Sequence, residues 1–146
     1  MEENYDCLKL ENQLCFPLYA CSKEIVRRYT PLLEELDLTY TQYIVMMVLW
    51  DKQEINVKAL GDKLYLDSGT LTPLLKKLET KKYITRTRNK NDERNLVIKI
   101  TKSGMDLRKK AKNVPIELGK CVDLEPEEAM KLYQTLYKIL DHFKER

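Results

Sequence analysis

The chain has 146 residues, 43% of them apolar and 34% charged, which fits one soluble globular domain able to bury a real core. No stretch approaches the roughly 18 consecutive apolar residues of a membrane span, and the acidic residues 1–6 are unlike a signal peptide, so a cytoplasmic protein without a membrane partner is expected. Four cysteines without short paired spacings and a single histidine, His142, leave little material for a metal site; free thiols in a reducing compartment are the expectation, with no metal and no cofactor.

The net charge of +3 is unevenly divided. Residues 58–112 carry 16 Lys or Arg against 6 Asp or Glu, a net +10, and the remainder carries 10 against 17, a net −7. A basic middle between acidic ends is the electrostatic footprint of a nucleic-acid face flanked by elements with another task. A solvated basic surface is the alternative reading.

In chain order, a long helix is predicted over about 10–36, with Leu14, Leu18, Ile25, Leu32 and Leu36 at helical spacings. Pro17 and Pro31 each remove a backbone donor, which predicts a kink or a late start and brings Cys15 close to a helix N-terminus, with Tyr19 one turn further on the same face. The string Tyr43, Ile44, Met46, Met47, Leu49, Trp50 is apolar nearly all round and reads as a buried central helix. Asn56 is a plausible N-cap for a short helix over 57–64, and Asp67 or Ser68 caps another running through Leu71, Leu74, Leu75 and Leu78. Two short β-compatible runs, 84–88 and 96–100, flank the polar residues 89–95 and predict a hairpin with a charged tip. Thr101 then opens a basic helix through Met105, Leu107, Ala111 and Val114, and Pro126 starts a last helix with the stripe Leu132, Leu136, Ile139, Leu140, Phe143.

Helix, turn, helix and hairpin inside the basic segment is the order of a winged helix-turn-helix. Its second helix enters the major groove by its N-terminal end, here Asp67, Ser68, Gly69 and Thr70, with Thr72, Lys76 and Lys77 following on exposed positions. Hydroxyls there meet base edges or phosphates, and the helix N-terminus favours a phosphate. Arg86, Arg88, Lys90 and Arg94 suit the wing to the minor groove or flanking backbone; Asp92 either holds Arg94 by a salt bridge or simply makes the turn. Leu71, Leu74 and Leu78 are expected in the core.

The strings LENQLCFPLYACSKEI, LTYTQYIVMMVLW, LYLDSGTLTPLLKKLE and ITRTRNKNDERN together resemble the MarR-type winged-helix repressors, and within them the organic hydroperoxide resistance regulators, over essentially the whole chain. The resemblance implies a mainly α fold, one domain over 1–146, with a winged helix-turn-helix at about 41–100 and dimerisation helices at about 10–36 and 102–146. It further implies a homodimeric repressor, not an enzyme, that leaves a pseudo-palindromic double-stranded DNA operator when a sensor cysteine is oxidised by an organic hydroperoxide. Carried over residue by residue, the sensor is Cys15, and Tyr19, Tyr29 and Tyr40 are the phenols that support its sulfur. Tyr29 lies about 21 Å along a helix from Cys15 and cannot reach it in one chain, so two helices crossing antiparallel would build the sensor between subunits.

Oxidation chemistry needs a thiolate, which phenolic donors and a helix N-terminus favour. Leu14, Phe16, Leu18 and Trp50 are expected to wall an apolar pocket for it. The fate of oxidised Cys15 stays open between a disulfide with Cys121 as resolving thiol, a mixed disulfide with a small thiol, and neither. Cys21 sits about 9 Å away on a different helix face, and Cys7 lies in the leader. The competing reading is a repressor of the same fold released by a small phenolic or amphipathic ligand, with Cys15 incidental.

Overall fold

The computed structural model describes residues 1–89 and 92–144, the side chains at 89 and 92–94 excepted. It divides into two compact units, Met1–Val114 and Pro115–Arg146.

The first unit opens with two 3-10 turns, Asp6–Leu8 and Leu10–Asn12, and the long helix α1 starts only at Cys15, running Cys15–Glu34. The late start has a local cause. Asn12 Nδ2 donates to the Asp6 carbonyl at 2.7 Å and Gln13 Nε2 to the carbonyls of Cys7 and Lys9 at 2.7 and 2.9 Å, so these side chains occupy backbone acceptors that a helix would use. Pro17 falls in the first turn, where its missing N–H has no intrahelical role, and the helix tolerates Pro31 near its other end. Asp37 turns the chain in the left-handed region, φ 53°.

Helix α2, Tyr40–Lys52, is held at its start by a capping box between Thr39 and Gln42 and buries Tyr43, Val45, Met46, Val48 and Leu49. Gln42 is the buried polar side chain of this core, and its Oε1 accepts from Thr39 N at 3.0 Å and from Lys81 Nζ at 3.4 Å. A three-residue strand β1, Glu54–Asn56, follows, which the sequence does not announce. Asn56 then caps α3, Val57–Leu64, by accepting from Lys58 N and Ala59 N.

Tyr65, φ 56°, closes the turn, and Gly61 lets it close: a Cβ there would lie 2.7 Å from the Leu66 carbonyl oxygen. Helix α4, Ser68–Thr80, begins at Asp67, whose carboxylate accepts from Thr70 N at 2.7 Å, and buries Leu71, Leu74, Leu75 and Leu78. The hairpin strands β2, Ile84–Asn89, and β3, Asp92–Ile100, run longer than their apolar runs suggest, with an irregularity after Arg88. Both neighbours of β3 are antiparallel to it, in the order β1-β3-β2, and Ile55 pairs with Ile98. Thr101 caps α5, Lys102–Ala111, by accepting from Gly104 N, and ties back by donating to the Lys82 carbonyl. Gly104 accepts Trp50 Nε1 at 2.9 Å on its carbonyl, and a Cβ there would collide with the Tyr83 carbonyl. Leucines such as Leu60 and Leu78, fully buried in this core, contribute about 1.5–3 kcal/mol each by leaving water.

The single basic helix expected from 102 onward is two helices, α5 and then α6, Val114–Val122. Pro115 disfavours helical geometry at the residue before it and is well placed in the opening turn of a new helix. The second unit carries the rest of α6 and then α7, Pro126–Lys144, with Asp123 at φ 49° between them. Along α7, Leu136, Ile139 and Leu140 are half-buried while Leu132, Tyr133 and Phe143 stay exposed.

Candidate nucleic-acid interface and thiol site

On α4 the four leucines face the core, and Ser68, Thr70, Thr72, Lys76 and Lys77 are all exposed. Ser68, Thr72 and Lys76 follow one another at a spacing of four, on one face of the helix. The Thr72 hydroxyl donates to the Ser68 carbonyl at 2.8 Å. The Asp67 carboxylate is engaged as the cap, and its bonds to Thr70 hold it below the usual carboxylate range. The start of α4 therefore presents hydroxyls while an acid fixes the backbone behind them.

Of the wing residues, Arg88 is exposed and lines, with Lys58 of α3 and Ser68 of α4, a cavity of about 500 Å³ between the helix pair and the hairpin. Charge and periodicity along the chain do not single out Lys58 for this interface, although its place beside the Asn56 cap marks it as the first cation of α3. Arg86 is half-buried, and its guanidinium is bonded to Glu79 at 3.0 Å. Lys90 lies outside the described residues, as do the side chains of Asp92 and Arg94.

Cys15 is the first residue of α1 and is exposed. No side chain caps this helix, because Leu14 stands at the cap position and has no acceptor to offer. The apolar pocket expected around the thiol does not form within one chain. Leu14 is 76% and Phe16 45% exposed, and Trp50 is committed elsewhere, to Gly104 and edge-on to the Tyr43 ring.

The phenols divide in the same way. Tyr19 is exposed near the thiol end of α1, with Lys23 Nζ 5.6 Å from its ring centre. Tyr29, far along α1, and Tyr40, the first residue of α2, pack with their rings tilted and 4.8 Å apart, and they are joined by Tyr43, whose ring is 5.6 Å from that of Tyr29. Tyr43 is not recognisable from the sequence as a member of this cluster, since its apolar helix marks it only as core. Burial, with the neighbouring phenols, pushes Tyr29 up to about 12, and burial also raises Tyr40 and Tyr43, so all three stay neutral O–H donors near neutral pH. Cys121, on α6 of the second unit, is free and exposed, as are Cys7 and Cys21.

Among the described residues no helix is long and apolar enough to cross a membrane, and no three His, Cys, Asp or Glu side chains gather where a metal ion could be held.

The chain is similar in sequence and in fold to known transcriptional regulators. A family model described as transcriptional regulator SarA/Rot matches residues 27–111. The organic hydroperoxide resistance transcriptional regulator of Bacillus subtilis is 44% identical over 141 residues, 97% of this chain and 96% of that protein. The HTH-type transcriptional regulator SarZ of Staphylococcus saprophyticus is 48% identical over 137 residues, 93% of this chain and 94% of that one. Among solved structures, reduced AbfR bound to DNA superposes with a TM-score of 0.78 at 32% identity, covering 93% of this chain and 95% of that one. A disulfide-formed AbfR superposes at 0.62 with 31% identity, covering 91% and 93%. The chain belongs to the MarR and SarA/Rot type of winged-helix transcriptional regulators, in the branch that holds the organic hydroperoxide resistance regulator, and it is a DNA-binding protein and not an enzyme.

Proposed function

We propose that this protein is a homodimeric repressor that holds a pseudo-palindromic operator while Cys15 is reduced and releases it when an organic hydroperoxide oxidises that sulfur. The observation that carries the reading is the start of α1: an exposed thiol on the first residue of a 20-residue helix whose N-terminus has no side-chain cap. The leading N–H groups of that helix are thereby left to serve the sulfur itself. In the reaction the thiolate attacks the terminal, hydrogen-bearing peroxide oxygen, the O–O bond breaks, and the alkoxide leaves and takes a proton from water to become the alcohol. The sulfur, two electrons poorer, becomes a sulfenic acid.

The neutral phenols of Tyr29 and Tyr40 are donors suited to a charged sulfur, but Tyr29 sits too far along α1 to serve the thiol of its own chain, and Tyr40, at the start of α2, packs beside it. Two α1 helices crossing antiparallel bring them to the partner's Cys15 and complete the apolar surroundings that Leu14, Phe16 and Leu18 begin. Ser68, Thr70, Thr72, Lys76 and Lys77 meet the major groove, and Arg88 of the wing meets the flanking backbone. Support comes also from the Bacillus subtilis relative, whose name joins organic hydroperoxide resistance to transcription, and from AbfR, solved both reduced on DNA and with a disulfide.

The deciding variant is Cys15→Ser, tested on the duplex that the wild-type protein enriches from a randomised library. It is expected to bind that duplex as the reduced wild type does and to stay bound when cumene hydroperoxide is added. Normal release by the serine variant would falsify the redox mechanism and leave the ligand-released repressor standing. Mass spectrometry after one equivalent of the oxidant, with and without a small thiol, identifies whether Cys121, the small thiol or neither partners the oxidised sulfur.

A further inference from the structure

Glu79 stands in the last turn of α4, and Arg86 is the third residue of β2. One carboxylate makes both contacts between them: Oε2 accepts from the Arg86 backbone N at 3.1 Å and Oε1 from the guanidinium Nη2 at 3.0 Å. The backbone bond is informative. β2 is an edge strand of the order β1-β3-β2, so a β2 N–H taken by a helix side chain is one that β3 does not use. Two bonds from one rigid carboxylate to the main chain and the side chain of the same residue fix both the distance and the rotation of the strand against the helix.

The guanidinium is enclosed as well as bonded. Its side chain is 21% exposed, and Nε is buried. Arg88, two residues on and therefore on the same face of the strand, reaches outward beside Lys58 and Ser68.

We propose that Glu79 and Arg86 form a positioning pair that sets the wing against the recognition helix, with the Arg86 guanidinium used there and not on a phosphate. Operator discrimination then depends on this pair because base contacts by α4 and backbone contacts by the wing must be made at once.

The test measures binding of Glu79→Gln and Arg86→Met to the enriched duplex and to a scrambled duplex, across a salt series. Glu79→Gln is expected to bind the enriched duplex about tenfold more weakly, the loss one mismatched base pair typically causes, although it has lost a negative charge. Its affinity for the scrambled duplex is expected to hold, which a general loss of folded protein would not allow. Unchanged or tighter binding to the enriched duplex overturns the proposal, being the result for an acid that only repels DNA.

Arg86→Met is expected to show the same loss with the wild-type salt slope. A slope shallower by about one identifies Arg86 as a phosphate contact and also overturns the proposal. Should either variant melt below the assay temperature, Arg86→Lys takes its place. It keeps the charge and loses the planar fork, so a positioning role predicts weakened specific binding and a phosphate role predicts none.

Discussion

The start of α4 and the start of α1 treat their first backbone N–H groups in different ways. At α4 an acid takes the cap, accepting Thr70 N at 2.7 Å, so the backbone is satisfied from within and the exposed hydroxyls of Ser68 and Thr70 are held in place. At α1 the cap position holds Leu14, no side chain accepts from the first turn, and the next residue is a cysteine. A capped start satisfies its leading N–H groups from within and anchors its first residues. An uncapped start leaves its first backbone N–H groups without a side-chain acceptor. Helices α2, α3 and α5 follow the first plan through Thr39, Asn56 and Thr101, which sets α1 apart from the capped helices of the first unit.

The contrast is broken most strongly by Asp67→Ala, which gives α4 the uncapped start of α1. Operator affinity in a fluorescence anisotropy titration is expected to fall about fivefold, since the exposed hydroxyls at the start of α4 lose the cap that anchors them. Asp67→Asn, which still caps, is expected to keep it. The converse change is Leu14→Asp, which gives α1 a cap. It is expected to slow sulfenic acid formation at Cys15 by about two- to fivefold, as judged by quenched mass spectrometry, because the introduced carboxylate competes for the same N–H groups. An unchanged rate would show that the helix start does not assist the sulfur.

Thr101→Ala is the control, removing the cap of α5, which belongs to neither site. It is expected to cost about 1 kcal/mol in urea unfolding while leaving the oxidation rate unaltered.

The last effect is on pH dependence. The Tyr29 phenol is raised in the folded state from 10 to about 12, so the folded protein holds that proton more tightly. The associated stability is fully present below pH 10 and is lost as pH rises from 10 toward 12. Tyr29→Phe is expected to flatten that alkaline arm in unfolding titrations. At the acid end Asp67 and Glu79 act with the opposite sign: their lowered carboxyls add stability above the usual carboxylate range, lost as pH falls through it.

Much of this was legible locally. Asn56, Asp67 and Thr101 are caps because a short polar side chain before an apolar period satisfies orphan donors two or three residues away, a relation contained in four letters of sequence. The leucines of α4 declare their buried face by spacing alone. Three residues of β1 carry no period, and they are a strand only because β3, some forty residues later, pairs with them. Trp50 reads as a wall of the thiol pocket until its indole N–H is found on Gly104, 54 positions away. Arg86 reads as one more wing cation, because nothing in the residues between says that the turn at Lys82, φ 65°, folds it back onto Glu79.

The sequence by itself determined the element order, the basic middle, the helix caps and the place of Cys15 at the head of a helix, since each follows from neighbours within a turn or two. Tertiary structure decided how those parts are used. It left the thiol exposed and its pocket unbuilt in a single chain, collected Tyr29, Tyr40 and Tyr43 away from it, and turned Arg86 inward while Arg88 reached out. These outcomes depend on contacts between residues far apart in the chain, and such contacts are fixed by packing the core, not by any local preference.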